Sequence, residues 1–331
     1  MLDGMERRQL GSDGFITSAL GLGCMGLSQG YGPADDDESV RAIHRAIELG
    51  VTMLDTAMSY GQGHNERLIG RALGGHTDGV QVATKFGIIR DQQGVRLDGR
   101  PEHVRGYCEA SLARLGIDVI DVYYLHRVDP AVPVAETVGA MAQLVADGKV
   151  RHLGVSEVTP AQLEQAVAVH PISAAQFEWS LLWREPEDGI VVAARRLGVG
   201  VVPYSPLGRG LLTATLTRAD MDGSDMRRAD PRFHGAELDH NLAHVGELRR
   251  IAADLGLTPG QLALAWLLAQ GPDVVPIPGS RRLARIAENA AAAGVVLTDD
   301  DLRGIDRAVP RTAWAGDRRS FAAPATARRR S

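Results

Sequence analysis

The sequence predicts a single α/β domain folded as a (β/α)8 TIM barrel, and three observations support this fold class. Short apolar runs alternate with amphipathic segments along nearly the whole chain, which is typical of a parallel sheet covered by helices. Eight such runs follow one another without interruption, which favours closure into a barrel over an open sheet. The chain of 331 residues has room for this barrel, and no linker or change of composition divides it.

The predicted elements follow from this alternation. The eight strand-like runs are 18–25, 51–57, 80–86, 119–126, 150–156, 173–179, 199–205 and 274–279. Many of the helical segments begin at Asp, Thr or Pro and end at Gly, as helix caps require. These helical segments are 36–50, 65–75, 101–116, 134–148, 159–170, 187–198 and 258–271.

Three segments lie outside the eightfold alternation. Residues 7–20 predict an N-terminal hairpin that plugs the bottom of the barrel. Residues 208–256 form a long insertion that ends in an extra helix over residues 241–256, and residues 299–310 predict a second extra helix. We therefore expect one barrel domain over residues 1–310 and a polar, flexible C-terminal tail over residues 311–331.

The composition limits the class of protein. Hydrophobic residues make up 44% and charged residues 23% of the chain, which permits a sizeable core. A net charge of −5 without a basic interior segment argues against nucleic acid or an anionic membrane as partner. The N-terminus lacks the apolar stretch of a secretory signal, and no apolar run approaches the roughly 18 residues of a membrane span. The two cysteines, without a C-x-x-C spacing, suggest neither a disulfide framework nor a metal site. We expect a soluble, cytoplasmic protein.

The stretch GLGCMG, residues 21–26, matches the G-x-G-x-x-G fingerprint of dinucleotide-binding folds, but its context does not. In such a fold a helix opens directly after the glycines, because the pyrophosphate lies on the helix N-terminus. Here the glycines and proline of residues 27–33 prevent a helix, and the first plausible caps are the aspartates from Asp35 to Asp37. We assign the glycines to a tight first strand and its loop, which frees Asp55 from a ribose-binding role.

Four polar side chains follow the ends of predicted strands. Asp55, Lys85 and His126 each end one run, and Tyr60 lies a short loop beyond Asp55. In a parallel barrel, catalytic groups lie at this C-terminal end of the strands. Each residue alone is typical of a cap, a packing contact or a loop hydrogen bond. Together they favour a site, because Lys85 follows an apolar run and is costly to bury unless paired with a group such as Asp55.

The chemistry of this set fits a proton donor. A free tyrosine has a pKa near 10, and we expect the ammonium of Lys85 to lower the pKa of Tyr60 by stabilising phenolate. Asp55 would hold the ammonium in place, and His126 would orient a substrate oxygen. The reaction served by such a set is carbonyl reduction, in which hydride reaches carbon and Tyr60 delivers a proton to oxygen.

At these residues the chain resembles the aldo-keto reductases, over nearly its whole length. The segment MLDTAMSYGQGHNERLIGRAL resembles the family's signature on strand two, with Asp55 and Tyr60 at the matching positions. Lys85 in TK and His126 in LH match the other two members of the family's catalytic tetrad. The larger bacterial members, which act on aldehydes and ketones, look most similar. The resemblance implies a (β/α)8 barrel that binds NADPH across its C-terminal face without a Rossmann domain.

The resemblance also implies the residues that hold the nicotinamide half of the cofactor. The implied contacts are Ser156 and Gln176 for the carboxamide, Tyr204 for the nicotinamide ring, Ser205, Pro206 and Leu207 for the pyrophosphate, and Gly210 as a further cofactor contact. An ordinary strand end is an equally good explanation of the Tyr-Ser-Pro triplet. Glu157 stands where the family usually has Asn. An ionised carboxylate only accepts hydrogen bonds, so Glu157 would meet the carboxamide differently, and its role stays open here.

The segment from Gly279 onwards predicts an anion site. It predicts a helix that begins near Ser280 and carries Arg281, Arg282 and Arg285 in its first turns. Cations at a helix N-terminus oppose the macrodipole, whereas an anion satisfies both the N–H groups and the arginines. A 2′-phosphate fits this requirement, and solvated surface arginines are the alternative.

The resemblance assigns individual contacts at this helix. It implies phosphate contacts at Ser280 and Arg285 and adenine contacts at Glu288 and Asn289. Gly279 stands where the family often has Lys, a charge that Arg281 would replace.

The sequence leaves the substrate open within the class of small-molecule carbonyl compounds. Met25, Tyr31, Met58, Trp183 and the tail are expected to wall an apolar, partly aromatic pocket. Residues 208–240 suit a lid over the cofactor, with disorder as the alternative. No feature of the sequence addresses the oligomeric state or the preferred direction of the reaction.

Two other functions compete with the reductase. A Schiff-base aldolase would use Lys85 as its nucleophile but would leave the arginines without a role. A regulatory or sensor subunit would bind NADPH with little turnover.

Overall fold

The computed structural model describes residues 5–91, 94–217, 221 and 223–318. Its strands are β1 (Arg7–Leu10), β2 (Phe15–Ser18), β3 (Leu22–Gly23), β4 (Met53–Asp55), β5 (Gln81–Phe86), β6 (Ile88–Asp91), β7 (Gly94–Leu97), β8 (Ile120–Leu125), β9 (Val150–Ser156), β10 (Ala174–Glu178) and β11 (Gly200–Tyr204). A parallel sheet of seven strands runs in the order β3, β4, β5, β8, β9, β10, β11. The order follows the chain, as expected for a barrel built from successive β-α units.

The eighth predicted run closes this sheet. On one side, the N–H of Val275 donates to the carbonyl of Val201 in β11 at 2.9 Å. On the other side, the N–H of Gly21 donates to the carbonyl of Pro276 at 3.0 Å. Proline has no N–H, so Pro276 only accepts a hydrogen bond from the first strand and the ladder stays irregular. The predicted (β/α)8 barrel is confirmed.

Ten described helices surround the sheet. They are α1 (Asp36–Glu48), α2 (His64–Leu73), α3 (Pro101–Leu115), α4 (Val134–Ala146), α5 (Pro160–Val169), α6 (Ile190–Arg196), α7 (Gly235–Asp254), α8 (Pro259–Leu268), α9 (Leu283–Ala291) and α10 (Asp299–Ala308). Several of the helix N-termini follow the predicted cap chemistry. Thr159 and Thr258 each form a capping box with the glutamine three residues on, and the Asp35 side chain caps α1.

The insertion between β11 and α8 departs from the prediction. The extra helix α7 begins at Gly235, six positions before the predicted start at residue 241. Before it, the chain forms 3₁₀ turns at Gly208–Thr213, Met226–Ala229 and Pro231–Phe233. Residues 218–220 and 222 lie outside the described residues, so the lid suggested for 208–240 stays a prediction.

The hairpin of β1 and β2 covers the N-terminal end of the barrel, as predicted. Leu10 and Phe15 are buried in one cluster with side chains from inside the barrel, including Tyr124 and Val202. The hairpin also approaches β11 closely, because a Cβ added at Gly200 would lie 2.5 Å from the Leu10 side chain. A second hairpin, β6 and β7, follows β5 and was not predicted.

The first residues of the predicted tail pack onto the barrel. Ala313 and Trp314 are buried, and the Trp314 ring lies edge-on to His244 of α7 with centroids 5.8 Å apart. Residues 319–331 lie outside the described residues, and the division of the chain at 310/311 stays a prediction.

Within the described part of the chain, no single helix is long and apolar enough to cross a membrane. The pair α7 and α8 meets the length and composition criteria only jointly, with an 84° bend between them.

The contact at the barrel bottom generates a stability prediction. Gly200→Ala should lower the free energy of unfolding by about 1–3 kcal/mol, because the new methyl group overpacks against Leu10. Gly106→Ala is the control, since an added Cβ in the middle of α3 meets no heavy atom within 4 Å. This control should stabilise the helix by about 0.5–1 kcal/mol. Urea unfolding measures both, and equal midpoints for the two variants would contradict the hairpin plug.

Candidate active site

The four predicted strand-end residues converge at the C-terminal end of the barrel. Asp55 is the last residue of β4, Lys85 lies near the end of β5, and His126 directly follows β8. These three strands are neighbours in the sheet, so their ends lie side by side. Tyr60 begins a 3₁₀ turn that follows β4, and its ring lies next to the Lys85 ammonium.

Lys85 is held as a buried ammonium. Its side chain is fully buried, and Nζ forms an ion pair with the Asp55 carboxylate and donates to the Thr56 carbonyl at 2.8 Å. Gln176 donates from Nε2 to the second Asp55 oxygen at 2.8 Å. Burial alone would lower the pKa of Lys85, but the Asp55 and Tyr60 side chains outweigh burial and raise it. The predicted Lys85–Asp55 pair is therefore present.

Tyr60 lies against this pair and against His126. Lys85 Nζ is 5.3 Å from the Tyr60 ring centroid, and the His126 ring meets the tyrosine edge-on at 5.8 Å. The expectation of a lowered pKa for Tyr60 is wrong in its net direction. Burial raises the pKa of Tyr60 above its ordinary value, and the Lys85 ammonium offsets only part of this rise. Tyr60 is therefore a neutral phenol at physiological pH.

His126 is a neutral imidazole. Burial, together with the nearby charges of Arg127 and Lys85, lowers the pKa of His126 well below its ordinary value. Its Nδ1 atom is buried without a hydrogen-bond partner in the described structure. A neutral ring offers one N–H donor and one acceptor, so it can orient an oxygen without adding a charge.

A cleft of about 800 Å³ opens above these residues and runs to the start of α9. The predicted residues that line it are Asp55, Tyr60, His126, Ser156, Gln176, Tyr204, Ser205, Pro206, Leu207, Gly210, Gly279, Ser280, Arg281, Arg285, Glu288 and Asn289. Lys85 lies beneath the cleft, where it contacts Asp55 and Tyr60 but not the open space. One continuous cavity thus joins the tetrad to the residues that were expected to hold a nucleotide.

The distal end of the cleft is rich in arginine but is built differently from the prediction. The helix α9 begins at Leu283 rather than near Ser280, and the Ser280 hydroxyl accepts a hydrogen bond from the Arg282 N–H just before the helix. Arg285 pairs with Glu288 at 2.6 Å and donates to Thr215.

Arg281 has a different contact from its neighbours. Its guanidinium donates to the carbonyls of Tyr31 and Pro33, in the loop that follows β3. Arg281 therefore ties that loop to the distal end of the cleft, in addition to any contact with an anion.

Glu157 does not point into the cleft. It is buried, has a left-handed backbone with φ of 54°, and is absent from the residues that line the cavity. Its carboxylate accepts a hydrogen bond from the Tyr204 hydroxyl at 2.7 Å and pairs with Arg318. Burial alone would raise the pKa of Glu157, but Arg318, with Arg127 and Tyr204, holds it below its ordinary value.

The GLGCMG glycines serve the barrel itself, as the sequence indicated. Helix α1 begins only at Asp36, and residues Met25–Leu27 form a 3₁₀ turn. A Cβ at Gly23 would lie 2.6 Å from the carbonyl oxygen of Ile277, so the first strand needs glycine to approach the eighth run. Gly23 and Gly26 also line the cleft near Met25.

Several cleft residues were not predicted. The most notable are Arg127, Arg209 and Arg227. Arg127 is buried and donates to the His126 carbonyl at 2.6 Å and to Ser156 Oγ at 3.1 Å. Its position directly after the strand-end histidine was the available clue.

The prediction that Met58 and Trp183 line the pocket is wrong, because neither residue lines the cleft. Met58 packs against the hydrophobic core, and Trp183 is buried, with the guanidinium groups of Arg318 and Arg232 at 5.5 and 6.0 Å from its ring centroid. Met25 and Tyr31 do line the cleft. Within the described residues, no group of three or more His, Cys, Asp or Glu side chains could hold a metal ion.

Comparison with known proteins agrees with this architecture. The model of the aldo/keto reductase family matches residues 19–310. The Glycine max protein named Probable aldo-keto reductase 1 is 44% identical over 313 residues, which cover 94% of this chain and 90% of that protein.

Solved structures give the same result. A glycerol dehydrogenase from Gluconobacter oxydans superposes with a TM-score of 0.85 at 31% identity, over 95% of this chain and 98% of that one. The holo form of an aldo-keto reductase from Bacillus halodurans superposes with a TM-score of 0.79 at 28% identity, over 93% of this chain and 98% of that one. The chain belongs to the aldo-keto reductase family, whose members are oxidoreductases that act on carbonyl compounds.

The electrostatics of the site generate a second prediction. The His126 ring should stay neutral from pH 8 down to at least pH 6, because burial and the nearby cations Arg127, Lys85 and Arg90 lower its pKa. Proton NMR of the imidazole Hε1 resonance measures this, and His126→Gln identifies the resonance by its disappearance. A titration with a midpoint at or above the ordinary value of about 6.5 would contradict the neutral imidazole.

Proposed function

We propose that the protein reduces an aldehyde or ketone to an alcohol with NADPH, and that Tyr60 donates the proton. The observation that carries this proposal is the single cleft that joins Tyr60 and His126 to Arg281 and Arg285. A dinucleotide reductant would lie along this cleft, with its reactive end at the tetrad and its phosphate at the arginines. Bound NADPH would supply the hydride that the carbonyl carbon accepts.

The donor set of the cleft suits this cofactor. Ser156 and Gln176 present polar groups beside the tetrad, and Tyr204 offers a partly exposed ring for stacking. At the other end, the side chains of Arg281, Arg282 and Arg285 supply cations for a 2′-phosphate. The chain from Ser205 to Gly210 would lie along the pyrophosphate, with Asn289 near the adenine.

Each residue of the tetrad would then have its own role in proton transfer. The neutral Tyr60 hydroxyl donates its proton to the carbonyl oxygen as negative charge grows there. Lys85 stabilises the phenolate that remains, and Asp55 keeps the ammonium beneath the ring. The His126 ring orients the substrate oxygen towards the hydroxyl.

The aldolase alternative is opposed by the state of Lys85. A Schiff-base lysine needs an accessible, neutral amine, usually with a lowered pKa. Here the amine is fully buried and outside the cleft lining, and its pKa is raised by Asp55 and Tyr60 over the opposing effect of burial. A sensor subunit would share the same binding residues, so turnover separates it from an enzyme.

Tyr60→Phe tests the proton donor. The variant should keep its affinity for NADPH and lose about 100-fold or more in turnover, the scale of a lost general acid. Loss of NADPH absorbance with a panel of aldehydes and ketones measures turnover, and fluorescence quenching measures binding. A rate within a few-fold of the unaltered protein would remove Tyr60 from this role. Tight binding without turnover of any carbonyl in the panel by the unaltered protein would favour the sensor.

Arg285→Ala tests the choice of cofactor. Loss of one charge-assisted hydrogen bond, about 1.5–3 kcal/mol, should weaken NADPH binding by roughly 10- to 100-fold. NADH lacks the 2′-phosphate, so its dissociation constant should hardly change. Arg303→Ala is the matched control, because Arg303 is also paired with an acid three residues away but lies on α10. Equal losses for both cofactors would show that Arg285 only supports the fold.

A further inference from the structure

Glu157 is the least expected residue next to the cleft. It directly follows Ser156, yet its carboxylate turns away from the cavity, and its left-handed backbone is unusual for a residue with a side chain. A conformation of this kind persists when surrounding contacts hold it. The contacts of the Glu157 carboxylate hold this conformation.

Both carboxylate oxygens of Glu157 are engaged. Oε1 accepts from the Tyr204 hydroxyl at 2.7 Å, from Arg318 Nη1 at 2.9 Å and from the Glu178 N–H at 3.1 Å. Oε2 accepts from Arg318 Nη2 at 2.5 Å. The bidentate pair with Arg318 is buried on both sides, with side chains only 4% exposed. Glu157 is thus committed to Arg318 and Tyr204 and has no oxygen directed at the cleft.

Arg318 lies in residues 311–318, the C-terminal segment that follows α10, and is far from Glu157 in sequence. Its guanidinium also faces the Trp183 ring at 5.5 Å and lies 3.9 Å from Glu178. Glu178 in turn pairs with Arg232, in the turn before α7, at 2.6 Å. The C-terminal segment and the insertion before α7 therefore meet in one buried network of charges behind Tyr204.

We propose that Arg318 and Glu157 are positioning residues through which the C-terminal segment sets the place of the Tyr204 ring in the cofactor cleft. The inference rests on the proposed function, in which that ring stacks on the nicotinamide. The Tyr204 hydroxyl is fixed by Glu157, Glu157 is fixed by Arg318, and Arg318 is carried by a segment packed on α7. Binding of the nicotinamide half of the cofactor then depends on the docked C-terminal segment.

A buried ion pair has a clear consequence when it is broken. Without Arg318, the Glu157 carboxylate is left without its bidentate partner in a buried site, and it must move or take up a proton. Either change alters the acceptor that holds the Tyr204 hydroxyl. The Tyr204 ring then loses its fixed orientation. A cofactor that stacks on this ring must order it on binding, which lowers the affinity for the cofactor.

The experiment measures dissociation constants of NADPH and NADH by fluorescence quenching on the full chain. Arg318→Met should weaken both cofactors alike, by about 10-fold, because both carry the same nicotinamide. Arg311→Met is the matched control, since Arg311 lies in the same segment and pairs with the exposed Asp188. Arg311→Met should leave both dissociation constants within about twofold of those of the unaltered protein.

A double-variant cycle tests the route of the effect. The Tyr204→Phe variant lacks the hydroxyl that Glu157 holds. In this variant, the further change Arg318→Met should raise the dissociation constant of either cofactor by less than about twofold. Arg318→Lys, which keeps a positive charge, should recover part of the affinity. A purely structural role for Arg318 would lower the urea midpoint without changing either constant in the folded protein, and this result would overturn the proposal.

Two outcomes separate this inference from the proposed function. If the unaltered protein binds neither nucleotide, the proposed function fails before the variants are compared. If it binds NADPH and Arg318→Met binds it equally well, only the positioning role fails. Should Arg318→Met not fold, Glu157→Gln and Tyr204→Phe replace it. Each should then weaken both cofactors, and their combination should weaken them no further.

Discussion

The ion pair between Lys85 and Asp55 is the interaction on which the site depends. A fully buried ammonium is costly unless a carboxylate and other acceptors surround it, and here Asp55 and the Thr56 carbonyl do so. The pair needs β4 and β5 to be adjacent and in register, so it also fixes the relation between the two strand ends. Tyr60 and His126 then lie over a fixed positive charge. Burial keeps the phenol and the imidazole neutral beside it, because ionisation of either group would require charge in a poorly solvated place.

The barrel is closed by glycines, which lack a side chain, and by prolines, which lack an N–H. The hydrogen bonds at this closure therefore do not form a regular ladder. Gly23 and Gly279 let the first strand and the eighth run come close, and Pro276 and Pro278 present only carbonyls to the first strand. The same chain turns at Gly279 into the arginine-rich start of α9. Closure of the barrel therefore also brings the distal end of the cleft next to the loop that follows β3, where Arg281 ties them together.

Arginines serve two different purposes around the cleft. Arg232 and Arg318 are buried in ion pairs with Glu178 and Glu157 and join distant segments of the chain. Arg281 and Arg285 are half-buried and line the distal end of the cleft, where Arg281 donates to the carbonyls of Tyr31 and Pro33 and Arg285 pairs with Glu288. In the proposed function these two side chains would exchange a protein partner for a phosphate, whereas a fully buried guanidinium needs its fixed carboxylate.

The local sequence determined the type of fold and the position of the catalytic candidates at the strand ends. The alternation of apolar runs and capped helices predicted the barrel, because periodicity and cap chemistry act over a few residues. The strand-end positions of Asp55, Lys85 and His126 predicted their meeting, because parallel strands end at one face. The residues after GLGCMG likewise excluded a Rossmann turn, because a helix cannot start where glycine and proline prevent it.

The tertiary structure decided what depends on contacts between distant residues. Glu157 could be interpreted only once Arg318, 161 positions away, was seen beside it. The net pKa direction of Tyr60 depended on burial by the surrounding loops, which outweighs the nearby ammonium. Arg127 became a cleft residue because the barrel brings it to Ser156, whereas Trp183 is buried beside Arg232 and Arg318 and does not line the cleft. Ion pairing and desolvation are set by spatial neighbours, and a sequence specifies those neighbours only through the complete fold.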